Sequence, residues 1–212
     1  MSIVVKRIEN KPVSSNCFVI FDKTVGNDCL IVDPGGKNND EIINYINGNR
    51  LIPTYIILTH EHFDHCWGVN DLVHRYEIPV ICSSLCAECI EDVKRNCSVF
   101  YDNSQRFEVH CRTIKIESLN NVMDFAGIKI LFFNTPGHTD ASISFLIGKY
   151  LFTGDTLIYK TKTVTKLPTG SESKLKQSIS LYKSLSNGIT VMSGHGESFG
   201  LDCECDINNN KI

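Results

Sequence analysis

The sequence lacks any strong charge bias: 21 Lys and Arg stand against 24 Asp and Glu, a formal net charge of -3 over 212 residues. A chain so balanced has no overall basic field to draw in nucleic acid or an anionic membrane surface. It also lacks a long hydrophobic run. The opening MSIVVKRIEN holds only a short apolar segment followed by basic residues, neither an export signal nor a membrane span. The chain therefore reads as cytoplasmic, with no membrane and no nucleic-acid partner; its oligomeric state is not legible. Neither a fixed-period repeat nor a low-complexity stretch is found. The glycine-rich DPGGKNND matches neither the G-x-x-x-x-G-K-[ST] phosphate loop nor G-x-G-x-x-G.

Ten cysteines are present, but without an export signal they do not read as a disulfide framework. Cys82, Cys86 and Cys89 form C-x3-C-x2-C, and Cys203 with Cys205 forms C-x-C. No second C-x2-C knuckle completes a structural zinc site, so reduced thiols in and around a helix are the favoured reading.

A composition of 42% hydrophobic and 21% charged residues suits a soluble globular chain, and the length suits one domain over 1–212 with a polar tail from about 203. CFVIF (17–21) and CLIVD (29–33) are short β-branched runs separated by turn residues. NNDEIINYIN (38–47) fits an amphipathic helix with Asp40 as N-cap. TYIILT (54–59) is apolar enough for a strand buried on both faces. Helices are expected over 67–76, 84–97 and 173–186, with IPVICSS as a strand between the first two. The stretch 98–121 gives no clear pattern. GIKILFFN, ASISFLIG, KYLFTGD and GITVMSG return as strands. Strand runs with interspersed helices point to two sheets packed together with helices outside, and composition alone leaves a doubly wound parallel sheet as a rival.

The densest chemistry lies in LTHEHFDHCWG (58–68), where His60, His62, Asp64 and His65 occupy six positions after an apolar run. Such groups are costly to bury without compensation. In extended chain, residues i and i+2 point the same way, so His60 and His62 converge on one point. Asp64 and His65 follow the onset of a turn and aim at a neighbouring point. Two pairs of ligand-type groups suggest two adjacent metal ions, in contrast to the helical H-E-x-x-H arrangement. His138 in TPGHTD, Asp155 in FTGDT and His195 in SGHGES also follow apolar runs, beside glycines. Seven ligand types so placed favour a metal centre over scattered core residues. His74 and His110 do not share this placement. Cys66 reads as a small packing residue, since every nearby histidine serves as a ligand.

SNCFVIFD, LIVDPGG, LTHEHFDHCWG, FFNTPGHTDASISFLI, LFTGDTLI, LPTGS and VMSGHGE, in this order over residues 14–197, resemble the metallo-β-lactamase fold superfamily, and within it the small glyoxalase II-like (hydroxyacylglutathione hydrolase-like) hydrolases. The resemblance implies an α/β fold, a four-layer αββα sandwich with the metal site along one edge. It implies two divalent metal ions, Zn2+ foremost with Fe or Mn as alternatives. By position, His60, His62 and His138 would hold the first ion, Asp64, His65 and His195 the second, and Asp155 would bridge them. Asp33 would support the ligands from behind, or serve as a turn-forming residue before Pro34.

The implied chemistry is hydrolysis of a thioester or related acyl bond of a small molecule. Metal binding lowers the pKa of water from 15.7 to about 7 and so supplies a bridging hydroxide at neutral pH, with Asp64 the carboxylate placed to handle its proton. Three departures bear on substrate. The sequence ends shortly after His195, without the helical domain by which full-length glyoxalase II enzymes bind glutathione. Thr163, Val164, Thr165 and Lys166 stand where relatives often read G-R-x-D. Six lysines fall within 149–176, and Lys162 and Lys166 are the candidates to bind an anionic group of the substrate. Alternatives are a mononuclear-iron persulfide dioxygenase, against which SGHGE weighs, a lactonase or phosphodiesterase, and a metal-binding domain without turnover.

Overall fold

The computed structural model describes residues 2–116, 121–185 and 187–201. The chain divides between residues 116 and 117 into two compact units, each built on one six-stranded sheet.

The first unit carries β1 (Ile3–Glu9), β2 (Asn16–Asp22), β3 (Asp28–Val32), β4 (Ile52–Ile57), β5 (Val80–Ser83) and β6 (Thr113–Ile116), paired in that order. β1, β2 and β3 form an antiparallel meander, and β3, β4, β5 and β6 run parallel. Parallel neighbours need a crossover. α1 (Asp40–Gly48) supplies it between β3 and β4, and α2 (Phe63–Cys66) with α3 (Val69–Tyr76) between β4 and β5. The central strands are the most apolar stretches, and Ile20, Leu30, Ile31, Ile56 and Ile57 are fully buried. β4 thus has the two-sided burial expected of TYIILT.

Two expectations need correction in detail. Asp40 is the first residue of α1 and Asn39 its N-cap; the Asn39 amide donates instead to the Gly68 carbonyl and the Asp71 carboxylate, both at 3.0 Å. The helix expected over 84–97 is α4 (Ser84–Cys89) and ends early. The Asp92 carboxylate accepts from the amides of Lys94 and Arg95, offering the backbone an alternative to helix. The unreadable stretch holds a short helix, α5 (Ser98–Tyr101), a 3-10 turn at Asn103–Gln105 and the edge strand β6.

The second unit carries β7 (Asn121–Phe125), β8 (Ile128–Asn134), β9 (Ile143–Ile147), β10 (Tyr150–Gly154), α6 (Glu172–Tyr182), β11 (Thr190–Ser193) and β12 (Phe199–Gly200). The sheet order is β12-β11-β10-β9-β8-β7, antiparallel except for the β10–β11 pair. Phe132, Phe145 and Phe152 form a ring ladder on adjacent strands, with centroids 5.7 and 4.7 Å apart. Tyr182 of α6 is fully buried with Leu151, Leu157 and Val191.

The strand directions fix where loops gather. β3 and β4 are parallel, so Asp33 and His60 follow strand ends on the same edge of the first sheet. β8, β10 and β11 share one direction, because β9 reverses the chain between β8 and β10. His138, Asp155 and His195 therefore all follow strand ends on one edge of the second sheet. Among the described residues no helix is long and apolar enough to cross a membrane. The polar tail from 203, with Cys203 and Cys205, lies outside the described residues.

Candidate metal centre

In the first unit His60 lies in the bend that follows β4, and His62 (φ -59°, ψ 144°) is the last extended residue before α2. Their rings meet edge to face at 4.8 Å, and the His60 and His65 centroids are 4.2 Å apart. Asp64 and His65 come from α2, with His65 Nε2 3.7 Å from Asp64 Oδ2. All four are buried.

Asp33 organises this half from behind. It is buried, with φ at 47°, a left-handed turn conformation that Asp tolerates better than most residues. Its Oδ1 accepts the Thr59 amide at 2.8 Å; its Oδ2 accepts the Thr59 hydroxyl at 2.6 Å and contacts His65 Nδ1 at 3.0 Å. Asp33 is thus both the turn former and the supporting group. Because the Thr59 hydroxyl gives its proton to Asp33, its oxygen accepts from His60 Nδ1, 3.1 Å away. Both imidazoles then carry the proton on Nδ1 and a lone pair on Nε2. The Asp33 carbonyl accepts from the Asn10 amide at 3.0 Å, and the Ser15 hydroxyl donates to the Asp64 carbonyl. A Cβ on Gly35 would lie 1.5 Å from the Asp64 carbonyl oxygen, so only glycine lets the two loops approach.

In the second unit, Asp155 Oδ2 lies 3.7 Å from His138 Nε2 and 3.4 Å from His195 Nε2. His138 Nδ1 donates to the Val164 carbonyl at 2.8 Å, again leaving the lone pair on Nε2. The Thr163 hydroxyl donates to the Asp155 carbonyl at 2.9 Å, and the Gly194 amide to the Gly154 carbonyl at 2.8 Å. Gly137, at φ 146°, lets the turn before His138 touch α6: a Cβ there would fall 2.4 Å from the Leu175 Cα.

The donor set suits divalent cations. Two ligands on one tetrahedral zinc, each about 2.0–2.1 Å away, stand roughly 3.4 Å from each other. The separations of 3.4 and 3.7 Å around Asp155, and 3.7 Å between Asp64 and His65, fall near that value. Three of the imidazoles are held in the tautomer that presents Nε2, the arrangement that supporting hydrogen bonds impose on metal-binding histidines.

Other candidates fall into place. Lys162 and Lys166 line a cavity of about 250 Å³ with Thr163, Val164, Thr165 and Glu172. The Lys162 ammonium lies 3.7 Å from Glu172 Oε1. Cys66 is fully buried, donates to the Glu61 carbonyl, and is pushed up by burial and then by the Asp64, Glu61 and Asp33 carboxylates. It is a thiol, not a nucleophile. Among the described residues no cysteine joins a group of three metal-ligating atoms. Asn10, Ser15 and the Val164 carbonyl were not singled out in the sequence; asparagine and serine are common turn residues, and a carbonyl leaves no mark on residue type.

This fold and donor set define a class: the chain belongs to the metallo-beta-lactamase superfamily, whose family model matches residues 10–195. A probable metallo-hydrolase of Bacillus subtilis (strain 168), YqgX, is 29% identical over 210 residues, 96% of this chain and 95% of that protein. A hydroxyacylglutathione hydrolase of Buchnera aphidicola subsp. Baizongia pistaciae is 30% identical over 145 residues, 66% of this chain and 49% of that protein. This chain thus aligns with about half the length of that enzyme. The crystal structure of the BLEG-1 B3 metallo-beta-lactamase superposes with a TM-score of 0.87 at 26% identity, over 96% of this chain and 97% of that one. The fold is the α/β sandwich of this superfamily.

Proposed function

We propose that this protein is a hydrolase with a two-cation centre that cleaves a thioester or related acyl bond of a small, anionic substrate, and that it acts in the cytoplasm. The observation that carries the reading is the fixed Nε2 presentation of His60, His65 and His138, imposed by Thr59, Asp33 and the Val164 carbonyl. In this reading His60, His62 and His138 would hold one cation and Asp64, His65 and His195 the other, with Asp155 as a further ligand. The cations, when bound, supply a water of lowered pKa and a Lewis acid for the acyl oxygen.

The chain's own groups do the rest. Asp64 takes the proton of the attacking water as the C–O bond forms. The C–S or C–O bond to the leaving group then breaks, and that proton is available to the departing sulfur or oxygen. Lys162 and Lys166 hold the substrate's carboxylate in the cavity they line. The similarity to YqgX along almost the full chain supports metallo-hydrolysis; the similarity to hydroxyacylglutathione hydrolase supports a thioester.

The test is metal content and turnover on one sample. The protein should bind near two divalent cations per chain and hydrolyse a panel member among thioesters, lactones, phosphodiesters and a β-lactam, with thioesters fastest. His60→Ala should abolish turnover, and Lys162→Gln with Lys166→Gln should raise KM for anionic thioesters. Full activity in metal-stripped protein, or one iron per chain with oxygen uptake on a persulfide, overturns the reading.

A further inference from the structure

The metal-binding turn carries aromatic residues that the chemistry above does not use. Phe63 sits between His62 and Asp64, and Trp67 lies one helical turn on, so both rings occupy one side of the helix. The Phe63 and Tyr101 rings stack with centroids 4.8 Å apart and planes 28° from parallel, and Trp67 stacks on Phe107 at 5.5 Å and 15°. Trp67 meets Phe63 and Tyr101 edge to face at 5.8 and 5.7 Å. Four rings from two separate segments form one continuous shelf.

The shelf is built, not incidental. Asn96 is fully buried and joins its two segments. Its carbonyl accepts the Phe63 amide at 2.7 Å, its side-chain amide donates to the Phe107 carbonyl at 2.8 Å, and its Oδ1 accepts the Ser98 amide at 2.9 Å. At the far end the Lys37 ammonium donates to Gln105 Oε1 at 2.6 Å, tying the segment to the loop after Asp33. Yet the outer surface stays open: Tyr101 is 45% exposed and its neighbour Phe100 70%. An exposed ring such as Tyr101, held in fixed geometry by Phe63 and Trp67, marks a recognition surface.

We propose that this shelf is the acyl-group subsite: it takes a planar, aryl-bearing acyl substituent and thereby selects the substrate. The proposal rests on the hydrolase reading. Continuity with the donors names the occupant. On a helix, Asp64 projects about 100° round from Phe63, so a group lying on the shelf sits beside Asp64, not across the protein from it. Flat ring faces favour offset stacking with another ring over a branched chain. Flanking Asp102 and Arg106 are of opposite charge, so nothing in the segment calls for an ionic partner.

Trp67 is the protein's single tryptophan, so intrinsic fluorescence reports directly on the shelf. The full chain is titrated with phenylacetate and with acetate, with and without zinc, and assayed on the phenylacetyl and acetyl thioesters of N-acetylcysteamine. Phenylacetate should change the Trp67 emission saturably and acetate should not. Tyr101→Ala and, separately, Phe100→Ala should weaken that binding and lower the phenylacetyl-to-acetyl ratio of kcat/KM, by about fivefold to tenfold for Tyr101→Ala. Linear, unsaturable quenching, an unchanged ratio, or variants that alter only the concentration dependence of sedimentation, as for a self-association surface, overturn it. Saturable binding without turnover of any member of the acyl panel leaves the shelf standing and refutes the hydrolase reading; turnover without aryl preference does the reverse.

Discussion

Asp33→Asn is the most diagnostic substitution, because asparagine keeps the side-chain shape and tolerates the left-handed backbone at φ 47°. The carboxylate accepts three donors: the Thr59 amide, the Thr59 hydroxyl and His65 Nδ1. An amide has one oxygen to offer. With that oxygen facing the Thr59 hydroxyl and His65, its NH2 confronts the Thr59 amide, and a buried donor loses its acceptor at a cost of about 1–3 kcal/mol. The two bonds retained also lose their charge assistance, roughly 1 kcal/mol each. The opposite orientation opposes two donors and is worse. Metal-free protein should therefore lose about 3–5 kcal/mol, which lowers the urea midpoint while leaving a folded state. His65 also loses the carboxylate that fixes its tautomer, so zinc affinity should fall about 10–100-fold in chelator competition. Thr59→Val, which removes only the hydroxyl between Asp33 and His60, should give a smaller loss in both measurements. If affinity stays within twofold while stability falls, Asp33 is a turn former and the orienting argument is wrong. A stability change under about 0.5 kcal/mol would refute the hydrogen-bond accounting itself.

Two further outcomes follow from buried groups in the same structure. Tyr182→Phe removes a phenol that shares a 2.6 Å hydrogen bond with Ser144, itself 2.8 Å from the Thr135 hydroxyl, so urea unfolding should show a loss of about 1–2 kcal/mol and Ser144→Ala should not add fully to it. Stability should also fall in alkali: burial and then the Asp28 carboxylate push Cys29 from 9.0 to about 12, and burial pushes Tyr182 from 10.0 to about 12. Both folded values are raised, so above the ordinary values the unfolded chain binds fewer protons and stability drops with rising pH. The loss begins near pH 9, steepens above 10 and approaches 1.4 kcal/mol per pH unit for each group. A urea midpoint flat from pH 8 to 11 would contradict it.

The candidate ligands were legible because each follows a strongly apolar strand and is itself a residue type costly to bury alone. β2, β3, β4, β8, β9, β10 and β11 announced themselves by their apolar runs in the same way. What surrounds the ligands was not legible. Asn10 reaches Asp33 across 23 positions and Ser15 reaches Asp64 across 49, so neither contact has a local pattern. β1 is mostly half-buried and β7 alternates weakly, which left both edge strands unread. The start of the unreadable stretch, 98–105, resisted because Asn96 and Asp102, through side-chain bonds to nearby amides, set its path in place of any hydrophobic period.

The departure from G-R-x-D at Thr163–Lys166 takes on a different weight once the loop is seen. His138 is oriented by the backbone carbonyl of Val164, and the Asp155 carbonyl receives the Thr163 hydroxyl. Any residue that keeps the chain on this path supplies the carbonyl, so Val164, 52% exposed, can vary without disturbing the imidazole. Thr163 stays tied to Asp155, but among the described residues no hydrogen bond of this kind holds Lys162 and Lys166, the lysines that line the cavity. The first unit is built the other way, with the Asp33 side chain itself orienting the ligands, so no replacement there is neutral. On the proposed function, substrate choice rests on Lys162, Lys166 and the aromatic shelf, apart from the candidate donors. On that reading the His and Asp motif identifies the class of chemistry far more sharply than the molecule acted on.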